Sequence, residues 1–320
     1  MRDMKDNQSN ASTIDRATVG DASPALDDAY DRMGATDFEL PNGFVNHGPM
    51  ACEALAALGC DDRVTDWARW FVQMVGEGPK LAEPARVSDF EGLDALGDYD
   101  RLSEWMGYFE GAIAFDGWER TVAVWVPRLV PGMASALFHG VIRTAHAVRA
   151  IETIETAARR AELARALGYW AGRFQPGRAV SETRPVGDAR RGVIEAAAGG
   201  ARHYTAQPTI FNLHGVTGAM AVALLIDHIG PEEGGAALGQ VRAEHDALYG
   251  ARDPRTSATA PIERPREAVA PTIDEWDPSL APLAADSRDA HQVKLVEACR
   301  RGWEATGDGA FIAAARRVSF

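Results

Sequence analysis

Apolar residues recur every three to four positions in six alanine-rich segments of this chain, and this spacing restricts its fold more than any other feature. The segments are 48–58, 62–75, 132–174, 212–229, 235–249 and 287–317. In the clearest, 141–174, one apolar stripe is formed by Ile142, Ala145, Val148, Ile151 and Ile154. A repeat of 3.6 residues places such a stripe on one face of a helix. We therefore predict an all-α fold, with one large helical domain over residues 29–320.

Four stretches depart from this pattern. Residues 1–28 are polar and are predicted to be an N-terminal tail. Residues 175–192 are predicted to be a loop, as are residues 250–286, whose six prolines exclude a regular helix. The longer loop is either a lid or a surface crossover. Thr121–Val126 is the best strand candidate, and a short apolar helical turn is an equal alternative.

Composition and charge exclude several classes of protein. Lys and Arg number 33 against 46 Asp and Glu, a net charge of −13 that argues against nucleic-acid or anionic-membrane partners. Three cysteines without a C-x-x-C motif indicate a reducing, cytoplasmic setting: Cys52, Cys60 and Cys299. Residues 1–28 carry no secretory signal pattern, and the longest apolar run, 216–226, is shorter than the ~20 residues of a membrane span.

The common catalytic and nucleotide-binding motifs are absent from the sequence. Neither H-E-x-x-H nor G-x-S-x-G occurs, which excludes the usual helical zinc hydrolase and the usual α/β-hydrolase nucleophile. A Walker A sequence and a G-x-G-x-x-G after a strand are also missing, so a built-in nucleotide site has no support. No H-x-D/E pair suggests a two-histidine, one-carboxylate iron site.

Four of the eight histidines stand near the starts of separate predicted helices: His47, His139, His214 and His291. Asn46 suits the cap position of the first of these helices, and Asp286 or Ser287 that of the last. Imidazoles from four helices can converge in a bundle core, where they suit iron, copper, zinc or nickel. The alternative for each histidine taken alone is ordinary packing or a local cap.

His139 shares its helix face with two further basic residues. Arg143 and His146 follow at i+4 and i+7. Burying three such groups unpaired is costly, which predicts a partner for this face unless it is solvated. By contrast, His228 and His245 stand near predicted helix ends and are expected at the surface.

Lys294 follows His291 by three residues on a largely apolar face. Like charges at this spacing repel, so one of the two is expected to be neutral or metal-bound, unless Lys294 extends to solvent. The helix after His214 is apolar all round, which predicts a central position. Three small residues on it leave room for a neighbouring helix or a ligand: Thr217, Gly218 and Ala221.

The segments around the four histidines resemble the questin oxidase-like family. They read NHGPMACEALAALG (46–59), LFHGVIRTAHAVRA (137–150), LHGVTGAMAVALL (213–225) and DAHQVKLVEACR (289–300). The resemblance extends over most of residues 30–318. Some family members carry a second histidine where this chain has Arg143, and His146 stands one turn further on.

The resemblance implies an all-helical enzyme that inserts oxygen into anthraquinone-type aromatic polyketides, with Baeyer–Villiger-like ring opening. It also implies a mononuclear non-haem iron held by histidines and a lysine that can be carboxylated. Carried onto this chain, the candidate metal ligands are His47, His139, His214, His291 and Lys294.

Two candidate catalytic residues, Arg143 and His146, accompany this ligand set. A permanently charged guanidinium suits a phenolate, carboxylate or peroxide oxygen. The expected partners are a small aromatic substrate and dioxygen, with neither nucleic acid nor membrane. Trp and Tyr side chains are candidate pocket walls, with core packing as the alternative: Trp105, Tyr108, Trp118 and Trp125. The alternative functions are an NADPH-linked oxidase without metal and a non-catalytic helical binding protein.

Overall fold

Helices make up almost all of the regular structure in the computed structural model, which describes residues 23–40, 43–78, 93–178, 180, 188–250 and 275–317. These residues contain thirteen α-helices and no strand beyond one isolated bridge between Glu39 and Val45. The predicted all-α fold is therefore confirmed. The helices are α1 Pro24–Met33, α2 Gly48–Ala57, α3 Asp61–Val75, α4 Leu102–Asp116, α5 Trp118–Leu129, α6 His139–Thr153, α7 Ala157–Gly172, α8 Ala189–Ala206, α9 Ile210–Leu225, α10 Pro231–Tyr249, α11 Leu280–Asp286, α12 Ala290–Thr306 and α13 Gly309–Ala315.

Several predicted boundaries need correction. Helix α1 begins at Pro24, inside the predicted tail, because a proline suits the first turn of a helix. The segment predicted at 132–174 is two helices, since Thr156 caps α7 by accepting a hydrogen bond from the Arg159 backbone N–H. Thr121–Val126 belongs to α5 and not to a strand.

The predicted loops are also shorter than expected. Helix α8 begins at Ala189 within the stretch 175–192, and α11 occupies Leu280–Asp286 within 250–286. Residues 251–274 of that proline-rich stretch, like residues 1–22 of the predicted tail, lie outside the described residues. Helix α4 was not among the six predicted segments, because its apolar residues are spread around the helix and leave no polar face.

One contiguous cluster of buried apolar side chains extends from Leu26 in α1 to Ala315 in α13. Its centre is α9, which packs against α6, α8, α10 and α12 and is buried at nearly every position. With the turn that follows, Ile210–His228 is the one stretch of the described residues long and apolar enough to cross a membrane, and 78% of it is buried inside the fold. That degree of burial is consistent with a core helix of a soluble protein.

Helix α9 and three other helices, α2, α6 and α12, form a closed ring of contacts that positions the candidate site. Helix α2 contacts α6 and α12, and α9 contacts the same two helices from the other side. Each of the four carries one candidate histidine in or just before its first turns. The ring therefore brings together residues as far apart in the chain as His47 and His291.

Candidate metal centre

The four candidate histidines converge on one point. Potential ligand atoms of His47, His139, His214 and His291 all lie within 4.8 Å of one another. The Nε2 atom of His139 is 2.5 Å from Nε2 of His47 and 3.1 Å from Nε2 of His214. Two nitrogens bound to one metal at about 2.1 Å are at most about 4.2 Å apart. The group therefore needs only small shifts to hold a single ion.

Backbone carbonyls determine which ring nitrogen of two of these histidines carries the proton. Nδ1 of His139 is 2.5 Å from the Ala136 carbonyl oxygen, and Nδ1 of His214 is 2.8 Å from that of Ile210. Since a carbonyl only accepts, both Nδ1 atoms must donate, which leaves lone pairs on both Nε2 atoms. Two lone pairs 3.1 Å apart repel each other unless a cation or a shared proton lies between them.

Burial disfavours a proton shared between Nε2 of His139 and Nε2 of His214, because it lowers the pKa values of the histidines in this group. It lowers the pKa of His139 to about 3, and the neighbouring Lys294 adds to the effect. The pKa values of His47 and His214 are also lowered well below their ordinary value, again with burial as the largest cause. All three imidazoles are therefore neutral near pH 7, which is the form that binds metal ions.

An unusual backbone turn fixes His139 at the start of α6. Ala136, Leu137 and Phe138 have φ values of 46°, 54° and 65°, so three successive non-glycine residues adopt the left-handed conformation. Each costs about 1–2 kcal/mol. The turn brings the Ala136 carbonyl to His139 and packs the Phe138 ring against Gly218 of α9, where an added Cβ would be 2.8 Å from that ring. The space predicted beside Gly218 is therefore filled by Phe138.

The other two histidines are held by side chains near helix starts. The Asn46 side chain accepts from the Gly48 backbone N–H and donates to the Thr36 hydroxyl, and His47 itself occupies the cap position of α2. Asp289 caps α12 in place of the predicted Asp286 or Ser287. Its carboxylate also lies 3.4 Å from Nδ1 of His291. A carboxylate on the far nitrogen of a metal-binding histidine is a common orienting contact.

Lys294 is the remaining predicted ligand, and it is fully buried. Its Nζ atom has no hydrogen-bond partner among the described residues. Burial lowers the pKa of its amine to about 7, so a large fraction is neutral near neutral pH. The predicted alternative, in which Lys294 extends to solvent, is therefore wrong.

The two predicted catalytic residues lie outside the four-histidine group, and their roles remain predictions. Nε and Nη2 of Arg143 donate to both carboxylate oxygens of Glu162 at 2.6 and 2.9 Å, and the side chain is buried. Nδ1 of His146 is 2.5 Å from a carboxylate oxygen of Glu53. The partner predicted for this polar face thus consists of two buried carboxylates.

Arg149 of α6 links this helix to α2 and α12. It donates two hydrogen bonds to Glu53 of α2 and one to Glu297 of α12, and both carboxylates are buried. Arg301 also pairs with Glu297. We call Glu53, His146, Arg149, Glu297 and Arg301 the ion network. Sequence reasoning did not find it, because charged residues six to ten positions beyond three of the four histidines are also typical of a solvated face.

The ion network makes the stability of the protein dependent on pH. Burial raises the pKa of Glu53 and of Glu297, but Arg149 and the other positive partners outweigh it, so both values are lowered. Burial lowers the pKa of His146. A group with a lowered pKa binds fewer protons when folded, so its stabilising contribution is present above its unfolded pKa and is lost as pH falls.

We therefore expect the urea midpoint of metal-free protein to fall as the pH is lowered from 7 through 5.5 to 4. The decline starts near the unfolded His value of about 6.5 and steepens near the unfolded Glu value of about 4.3. Unfolding followed by circular dichroism checks this. Equal midpoints at pH 7 and pH 4 would contradict the expectation.

A pocket of about 360 Å³ has two of the histidines in its lining, His47 and His291. Its other walls are mainly apolar and aromatic, and they include Phe44, Trp67, Trp70, Phe71 and Met74. None of the four predicted wall residues lines it. Trp105 and Trp125 instead pack edge to face in the core, as in the alternative interpretation.

A further buried histidine lies close to the site without belonging to it. His245 was predicted at the surface, but it is buried and its Nε2 atom is 3.0 Å from the Gly215 carbonyl oxygen. The prediction failed because α10 extends to Tyr249 and packs this part of its length against α9. His245 is thus a buried histidine that packs against a backbone carbonyl and lies outside the four-histidine group.

Comparison with known proteins identifies no relative. No family model, no curated protein and no solved structure matches this chain. The resemblance of the four histidine segments to the questin oxidase-like family stays a prediction.

Proposed function

We propose that this protein is a metal-dependent oxidoreductase that uses non-haem iron to insert oxygen into an aromatic polyketide, such as an anthraquinone, or to cleave one of its rings. The observation that carries the proposal is the buried group of four histidines, two of which direct lone pairs at each other from 3.1 Å. A fold that uses these histidines only for packing gains nothing from that repulsion.

The donor set suits iron. Cys52, Cys60 and Cys299 are buried and are not part of the group, so nitrogen and oxygen are the available donors. Imidazole nitrogen binds iron, zinc, copper and nickel, whereas thiolates select softer ions. When bound, iron supplies the ability to activate dioxygen, which no amino-acid side chain has.

Lys294 would balance the charge that four neutral imidazoles leave uncompensated. A neutral buried amine can add to carbon dioxide and release one proton, and the product is a carbamate with anionic oxygen. The unpartnered Nζ of Lys294 and its lowered pKa of about 7 fit this role. Three positive helix ends also favour an anion here, since α2, α6 and α12 begin within two residues of their histidine.

The pocket lined by His47 and His291 is the proposed substrate site. Its apolar, aromatic lining suits a flat ring system. In this proposal Arg143 and His146 are positioning residues. Their ion pairs hold α6 against α7 and α2 and so keep His139 in place. A cytoplasmic setting remains part of this proposal.

The test is elemental analysis of protein purified without chelators, followed by oxygen uptake with a hydroxyanthraquinone. We expect about one transition-metal ion per chain, mainly iron, in line with a single mononuclear site. Insertion of one atom of dioxygen consumes two electrons from an added reductant, so uptake is measured with NADPH present, before and after chelation. Uptake that requires NADPH but does not change on chelation would instead favour the metal-free NADPH-linked oxidase. Protein without metal would overturn the proposal.

A further inference from the structure

Arg288 stands at a backbone position that ordinarily favours glycine. Helix α11 ends at Asp286, Ser287 follows as its cap, and Arg288 then has a φ of 52°. The left-handed conformation after a helix is usually taken by glycine, which has no Cβ to clash with the carbonyl oxygen. A chain that keeps a long charged side chain here loses stability, and such local strain is commonly found at binding sites.

The guanidinium of Arg288 lies over an aromatic wall of the pocket. Its central carbon is 5.3 Å from the centroid of the Trp70 ring, and Arg288 lines the same pocket as His47 and His291. No carboxylate pairs with it among the described residues. The adjacent Asp289 also lines the pocket, but its carboxylate accepts from the His291 backbone N–H and lies 3.4 Å from Nδ1 of His291 instead of pairing with Arg288. Arg288 is therefore a cation of the pocket lining that has no carboxylate partner among the described residues.

This cation contrasts with the rest of the molecule. The chain carries a net charge of −13, which disfavours the approach of anions in general. Phe44 and Met74, which also line the pocket, are exposed large apolar side chains. A largely apolar pocket with a guanidinium that lacks a carboxylate partner among the described residues matches a ligand that has a flat apolar body and one anionic group.

We propose that Arg288 is a specificity-determining residue and that the pocket binds planar aromatic anions, whose rings pack on Trp67, Trp70 and Phe71 and whose carboxylate or phenolate pairs with Arg288. The inference rests on the proposed function for the identity of this pocket as the substrate site. Beyond the proposed function, it specifies that the substrate carries a negative charge and that Arg288 recognises this charge.

The experiment measures binding by calorimetry under anaerobic conditions, with metal-loaded and with chelator-treated protein. The probes are 1-hydroxy-2-naphthoate and its methyl ester, which lacks the carboxylate charge. The variants are Arg288→Gly, Arg288→Lys and a control, Arg69→Gln, in which an exposed arginine of the same helix as Trp67 is neutralised.

We expect the acid to bind at least about tenfold more tightly than the ester in the native protein and in Arg69→Gln, as for one charged hydrogen bond. Arg288→Gly should bind both probes equally, and Arg288→Lys should keep part of the preference. The melting temperature of Arg288→Gly should stay the same or rise, because glycine suits the left-handed conformation. This separates lost recognition from lost folding.

Three results would overturn the inference: equal binding of acid and ester by the native protein, a preference that survives in Arg288→Gly, or no binding of either probe. Absence of metal has a different meaning. If the chelated and the purified protein both lack metal but still prefer the acid through Arg288, the proposed function fails while the anion specificity of the pocket stands.

Discussion

Replacing His214 by glutamine is expected to lower metal affinity by at least about 100-fold and to abolish oxygen uptake. His214 is fully buried, and its Nε2 atom lies 3.1 Å from Nε2 of His139 in the four-histidine group. Glutamine preserves the approximate length of the side chain but replaces the imidazole donor with a weak carboxamide. Loss of a residue that only hydrogen-bonds to a metal ligand already costs about 10–100-fold in affinity, so loss of a ligand should cost more. Elemental analysis and competition with a chelator measure the effect.

The matched control is His245→Gln. His245 is also buried and makes one contact to a backbone carbonyl, but it is outside the four-histidine group. This variant should therefore retain its metal. A His245→Gln protein that loses metal as fully as His214→Gln would show that any buried histidine in this region matters, which would contradict the assignment.

The stability of metal-free protein gives an independent result. Because the Nε2 atoms of His139 and His214 repel each other without a cation, His214→Gln should be at least as stable as the native chain after chelation. Functional sites commonly sacrifice stability in this way. If the histidines were packing residues only, the substitution would destabilise the metal-free fold by about 1–3 kcal/mol through an unsatisfied buried group.

Replacing Arg149 by methionine is expected to lower the free energy of unfolding by about 3–5 kcal/mol, because it leaves buried carboxylates without their main partner. Arg149 holds Glu53 of α2 and Glu297 of α12 from its position on α6. In the variant, Glu297 still pairs with Arg301, but Glu53 has no second arginine partner in the part of the chain that the structure describes. We therefore attribute most of the loss to Glu53. The double variant Glu53→Gln/Arg149→Met should recover part of the lost free energy of unfolding, because it removes the unpaired buried charge.

Chemical denaturation at pH 7 checks this expectation, with Arg191→Met as the control. Arg191 forms an exposed pair with Glu195 one turn away, and such pairs contribute at most about 0.5 kcal/mol. Similar losses for the two variants would contradict a buried ion network. Arg149→Met should also weaken metal binding, since it loosens α2, α6 and α12 about six to ten residues beyond their histidines.

The all-α fold class and the four candidate histidines could be predicted from the sequence, because both depend on local patterns. The 3.6-residue spacing predicts a helix whatever its neighbours are, and Asn46 before His47 is a local cap signal. The start of α12 was misplaced by a few residues because Asp286, Ser287 and Asp289 are all good caps, and the chain uses the last of them.

The pocket walls could not be predicted in the same way. Trp67 and Trp70 belong to α3, whereas Trp105 and Trp125 belong to α4 and α5, and all are equally apolar in the sequence. Only packing decides that Trp105 and Trp125 face each other while Trp67 and Trp70 line the same pocket as His47. The left-handed turn at 136–138 was equally hidden, because none of its three residues is glycine.

The amino-acid order alone therefore predicted a helical protein with one histidine near the start of each of four helices. It also predicted that His291 or Lys294 is neutral or metal-bound unless Lys294 extends to solvent. Which atoms meet is a property of the folded chain. The lone pairs of His139 and His214, the partner of Arg149 and the charge at Arg288 follow from contacts between helices far apart in the chain. Such contacts depend on distance and burial, and side-chain spacing along one helix carries neither.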